Sequence, residues 1–139
     1  MTMPQRVDPT RLAGELTATD FDGWTEALRT DFAENANNDA VGSVLLSETE
    51  RVRVWSINLA PGERLGAHRH TLDYFFTALT DGESVQHNDD GSTRHACYRT
   101  GDTRHFDFGP GEYLLHDLEN VGAEPLGFLT VELKPRPGR

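Results

Sequence analysis

Two imidazoles stand one residue apart in "GAHRHTLDYFF", His68 and His70. In an extended strand residues i and i+2 share a face, so both rings project to one side and can hold adjacent positions around one metal ion. A third nitrogen donor then has to come from another strand. His116 in "YLLHDLEN" shares a face with Leu114 and Leu118. An imidazole among leucines requires a partner, either a metal or a buried hydrogen bond. On spacing alone the competing reading is two histidines beside a turn and one core histidine.

These donors must be positioned by short strands. From Val44 onward, strand-like runs alternate with turn signals: "RVRVWSINLA" before "PGE", "ESVQHN" before "DDG", "RHFDF" before "GPGE". That pattern predicts an all-β sandwich or barrel over 44–134. Residues 1–43 read as a helical and extended segment packed on it. In this segment Trp24, Leu28 and Phe32 form a helical stripe, with Asp20 and Asp22 as candidate caps and an Asn-rich stop. Residues 135–139 read as a loose tail.

The bulk composition narrows the partners. With 139 residues the chain is sized for one domain, and a net charge of −10 disfavours nucleic acid and anionic membrane surfaces. No run is long and apolar enough for a spanning helix, and "MTMPQRVDP" lacks a signal-peptide core, so the expected address is cytoplasmic. The single cysteine, Cys97, allows no internal disulfide and no thiolate-rich site, leaving nitrogen and oxygen to hold a metal.

The context of the histidines resembles the cupin superfamily. Gly62, five residues, His68, one residue, His70 and then Gly82 follow the first cupin motif, and His116, three residues, Asn120 closes the second. The resemblance covers roughly Val52 to Lys134. It implies a double-stranded β-helix, or jelly-roll, barrel holding a divalent metal, iron(II) first and nickel, manganese, copper or zinc as alternatives. Carried over residue by residue, its ligands are His68, His70 and His116. Where the family places a glutamate, this chain has Tyr74, preceded by Asp73. The second motif is stretched around Gly101-Asp102 and Pro110-Gly111, which keeps His105 and Glu112 open as replacement ligands.

Three neutral imidazoles leave the ion's charge uncompensated and leave coordination positions open, the arrangement of a catalytic rather than a closed structural site. Tyr74 is expected as a cavity wall or proton donor, with phenolate ligation as a third role. The expected function is a metal-dependent enzyme of the dioxygenase type acting on a small organic molecule. Lewis-acid lyase, isomerase, cyclase or hydrolase chemistry and non-catalytic metal binding are the alternatives. By analogy with the family a homodimer is expected. Asp73 is assigned to the surface, as a partner for Arg69; Arg51 and Arg53 to the solvated face; His87 and His95 to exposed positions beside the "NDDGST" turn; and Leu72, Phe75 and Phe76 to the core.

Overall fold

The computed structural model describes residues 3–136, so the last three positions of the expected tail lie outside it. Eleven strands and one α-helix follow in chain order: β1 (Gln5–Arg6), β2 (Glu15–Ala18), α1 (Glu26–Glu34), β3 (Val44–Glu48), β4 (Val52–Leu59), β5 (Arg64–His70), β6 (Asp73–Ala78), β7 (Gly82–His87), β8 (Thr93–Tyr98), β9 (Thr103–Phe106), β10 (Glu112–Asn120) and β11 (Leu126–Leu133). Five strands form one sheet in the order β3-β4-β11-β6-β9. The other sheet runs β1-β10-β7-β8-β2, with β5 on the free edge of β10. The expected jelly-roll barrel is therefore present. Its first two strands come from the segment ahead of residue 44, which extends the sheet as well as packing on it.

Alternation along the strands sends apolar side chains from both sheets into a shared interior. Ile57, Leu59, Ala78, Tyr98, Leu118, Leu126 and Phe128 make the largest buried cluster. A side-chain carbon on Gly82 would lie 2.7 Å from Leu126 Cδ1, so any larger residue there would displace this fully buried leucine. Asn120 works as a clamp on the turn that follows. Its Nδ2 donates to Leu59 O (3.0 Å) and Glu124 O (2.8 Å), and its Oδ1 accepts from Gly122 N (2.9 Å). The asparagine that ends the second motif is thus satisfied structurally and is not aimed at a ligand.

Helix α1 lies over the outer face of β5 and β10, where Phe32 packs with Ala67 and Leu115 and is flanked by Trp24 and Leu28. Burying the Phe32 side chain contributes about 1.5–3 kcal/mol. The N-cap is Thr25, whose hydroxyl accepts from Leu28 N at 3.1 Å, and neither Asp20 nor Asp22 caps the helix. Asp20 and Phe21 instead occupy left-handed turn conformations, φ 58° and 62°, which set the chain back before the helix can start.

Several expected placements differ. Arg53 shares the inward face with Trp55 and reaches Glu48 (3.2 Å) and the buried Glu132 (3.8 Å), because β4 runs in the opposite phase to that expected from its valines. Asp73 accepts from Phe108 N at 2.8 Å, while Arg69 lies 4.3 Å from the centre of the Tyr113 ring. Phe76 joins the core, but Phe75 points to the other face against His105, 5.2 Å between ring centres. No helix among the described residues is long and apolar enough to cross a membrane.

Candidate metal centre

Strand β5 sends His68 and His70 inward and Arg69 outward, as period-two alternation requires. Its neighbour β10 runs antiparallel, with His116 opposite His68 and Leu114 opposite His70. The three rings form a nearly equilateral triangle, with centres 5.1 Å apart for His68 and His70, 4.7 Å for His68 and His116, and 5.1 Å for His70 and His116. One ring nitrogen from each lies within 4.8 Å of the other two.

Hydrogen bonds outside the triangle fix which nitrogens face in. His68 Nδ1 lies 2.9 Å from Gly66 O and His116 Nδ1 lies 3.1 Å from Gln86 Oε1. A carbonyl oxygen only accepts, so these Nδ1 atoms carry the protons and both Nε2 lone pairs are free for the centre. His116 Nε2 and His70 Nε2 then stand 3.2 Å apart, while His70 Nδ1 is buried without a hydrogen-bond partner. If His70 carries its proton on Nδ1, two lone pairs face each other at that distance, and only a cation between them turns this repulsion into attraction.

Burial lowers the pKa of His68, and lowers those of His70 and His116 further, with His68 adding repulsion to both and His116 to His70. All three rings are therefore neutral near pH 7, the protonation state in which imidazole ligates a metal. The donor set fits a divalent ion: three convergent neutral nitrogens, two of them tautomerically locked, and no fourth donor in the cluster among the described residues.

Beside the triangle lies a cavity of about 50 Å³. Its polar lining consists of the three imidazoles, Tyr74, Gln86, Tyr98 and Thr130, and no described carboxylate, lysine or arginine reaches it. Tyr74 stacks on His70 (4.1 Å between centres, 15° between planes) and on Phe106 (4.9 Å, 12°), which places it in the wall. Burial raises the phenol well above its ordinary pKa, so it is a neutral group able to donate a proton in a hydrogen bond. Tyr98 is raised for the same reason; its hydroxyl accepts from Gln86 Nε2 (3.0 Å) and lies 2.8 Å from Ser84 Oγ.

The two replacement ligands lie elsewhere. His105 is exposed on the outer face of β9, and Glu112 Oε1 accepts from Gly109 N at 2.7 Å and neighbours Arg11. His87 is half-buried rather than exposed: its backbone N donates to Asp117 Oδ1 (2.6 Å), its Nδ1 lies 2.9 Å from Asp117 Oδ2, and Trp24 covers the ring edge-on at 5.4 Å. His95 is also half-buried, 3.0 Å from Glu83. Sequence reasoning missed Gln86 and Tyr98. The signal for Gln86 was available in "GESVQH", where alternation places Ser84 and Gln86 together on one face.

Neither a protein-family model nor a curated protein matches the chain. Solved structures do. A cupin domain from Bordetella pertussis Tohama I aligns over 71% of this chain and 97% of its own, with 24% identity and a TM-score of 0.59. An RmlC-like cupin family protein with a double-stranded β-helix fold from Methanocaldococcus jannaschii aligns over 65% and 76%, at 21% identity and TM-score 0.52. An uncharacterized conserved protein with a double-stranded β-helix domain from Klebsiella pneumoniae aligns over 77% and 89%, at 23% identity and TM-score 0.52. At such identities the likeness is one of fold.

Proposed function

This chain has the cupin fold, and from that fold and its three convergent histidines we propose a metal-dependent oxidoreductase that uses dioxygen on a small organic molecule. His68, His70 and His116 are the proposed ligands of iron(II). The carrying observation is the donor set in its setting: three neutral imidazoles beside a cavity that no described carboxylate lines. Isomerase and lyase chemistry is best served by a protein base near the reacting carbon. Among the described residues lining the cavity the titratable groups are the three imidazoles and two tyrosines, whereas electron transfer at a metal asks the protein chiefly for ligands and open positions.

When bound, iron(II) would supply the open positions at which substrate and dioxygen meet and would relay electrons from the substrate, which is the reductant, to dioxygen. The chain's own residues do the rest. His68 and His116 hold their Nε2 atoms toward the centre through Gly66 O and Gln86 Oε1. Tyr74 keeps its hydroxyl proton and is the proposed hydrogen-bond donor to a substrate oxygen. The cavity walls select by size. An engineered apolar cavity of roughly 150 Å³ takes up benzene, so the cavity beside the triangle favours acyclic carbonyl or thiol compounds of a few heavy atoms over phenols. Strand β3, an edge strand with exposed Val44, Leu45 and Leu46, supports the further proposal of a homodimer.

The test is elemental analysis of untagged protein together with oxygen-electrode traces against small carbonyl and thiol compounds. Near-stoichiometric iron with oxygen uptake, both lost in His68→Ala while the β-fold persists, is the expected result. A bound metal that never consumes oxygen would overturn the redox assignment in favour of Lewis-acid chemistry. Full metal content in His68→Ala would overturn the ligand assignment.

A further inference from the structure

A second group of metal-ligating side chains lies on the outer face of the β7–β8 hairpin. In β8 the inward residues are Ala96 and Tyr98, so His95 and Cys97 face outward together. Glu83 is the direct cross-strand partner of Cys97, and its Oε2 lies 3.0 Å from His95 Nε2. One donor atom from each of Glu83, His95 and Cys97 lies within 4.8 Å of the other two. On the other edge of β8, Glu15 of β2 is paired with His95 and lines the same open groove as His95 and Cys97.

We propose that Glu83, His95 and Cys97 form a surface site for a zinc-class divalent cation. The donor types decide the class. A thiolate excludes magnesium and calcium, and the mixture of sulfur, imidazole and carboxylate is that of zinc sites. Tetrahedral zinc holds its ligand atoms roughly 3.5 Å apart, so the Glu83–His95 pair at 3.0 Å opens slightly and no pair has to close by more than about 1.3 Å. Cys97 and Glu83 are exposed and His95 half-buried, and rotation about their side-chain bonds achieves this without moving the strands. On binding, the Cys97 thiol proton passes to solvent and the His95 ring carries its proton on Nδ1, freeing Nε2 from Glu83. Water fills the fourth position, and Glu15 adds negative charge beside it.

The same strand periodicity thus operates twice. His68-x-His70 with a cross-strand histidine faces inward, and His95-x-Cys97 with a cross-strand glutamate faces outward. Only the outer group contains sulfur, which makes the two sites separable in one experiment.

Full-length protein stripped with a chelator and titrated with cobalt(II) should develop a near-ultraviolet thiolate-to-cobalt charge-transfer band that saturates at one equivalent of sulfur-bound metal and is bleached by added zinc. Cys97→Ser should abolish the band. His95→Ala and Glu83→Gln should each weaken cobalt binding by at least about tenfold. His68→Ala should leave the band unchanged. Absence of the band in the wild-type chain would overturn the site, as would a band of undiminished affinity in both His95→Ala and Glu83→Gln, which would mean a thiol binding alone.

Discussion

Replacing Gln86 with leucine tests whether the metal centre depends on a side chain that never touches it. Gln86 is buried, accepts from His116 Nδ1 at 3.1 Å and donates to Tyr98 Oη at 3.0 Å. Leucine removes the acceptor. The His116 proton is then free to move to Nε2, where it points at His70 Nε2, 3.2 Å away, and makes a hydrogen bond across the position a metal must occupy. Losing an outer partner of a ligating histidine lowers metal affinity by about 10–100-fold, equivalent to about 1.4–2.8 kcal/mol. A competition titration against a chromophoric chelator measures it. A glutamate side chain keeps an acceptor at the same place, so Gln86→Glu should bind metal more tightly than Gln86→Leu. The reasoning fails if the leucine variant, folded by circular dichroism, binds metal as tightly as wild type, or if the glutamate variant is no better than the leucine one.

Metal-free protein should lose stability on mild acidification. The folded pKa values of the three site histidines lie below the unfolded one, so the unfolded chain takes up protons first and stability falls as pH drops below about 6.5. By pH 5.5, His70 and His116 should together account for a loss of at most about 3 kcal/mol, the limit for two groups that stay neutral in the folded state, read from urea unfolding in chelator; an unchanged midpoint would place charged histidines in the folded state. The bound metal, for the same reason, should survive to lower pH than free imidazole would allow. Asp117→Asn should destabilise the fold by about 3 kcal/mol, because it breaks a buried ion pair: Asp117 is fully buried and receives Arg64 Nε (2.7 Å) as well as the backbone N and Nδ1 of His87. At this chain length that is roughly 10 °C in Tm, and a shift under about 2 °C by calorimetry would contradict it. Tyr74→Phe should retain stoichiometric metal by elemental analysis and turn over more slowly, since the ring still stacks on His70 while the hydroxyl is gone.

What could be read in advance followed from short-range rules. Alternation in "HRH" is enough to bring His68 and His70 to one face, and the resemblance of His116 and Asn120 to the second cupin motif pointed to the histidine that joins them. The rest depended on contacts distant in sequence. A β-bulge between His116 and Leu118 shifts the register against β5, and no residue type announces it. Asp117 looks like a surface acid until Arg64 and His87, 53 and 30 residues away in the chain, are folded around it. Strands β1 and β2, two and four residues long, are too short to show a period and are held by pairing with β10 and β8. Arg53 was misplaced because alternating valines and arginines give a phase without saying which phase faces in.

Leu12 and Ala13, from the stretch between β1 and β2, complete the cavity whose proposed ligands all come from β5 and β10. The convergent histidines and part of the cavity wall therefore come from different stretches of the chain. The histidines are locked into a paired ladder where any slip would undo them, whereas the two wall residues sit in a connection between strands and reach the triangle only through intermediaries, Ala13 through Tyr74 and Leu12 through Leu114. On the proposed function, a lineage could reshape the pocket by redrafting that leading segment, within the room that Tyr74 and Leu114 leave it.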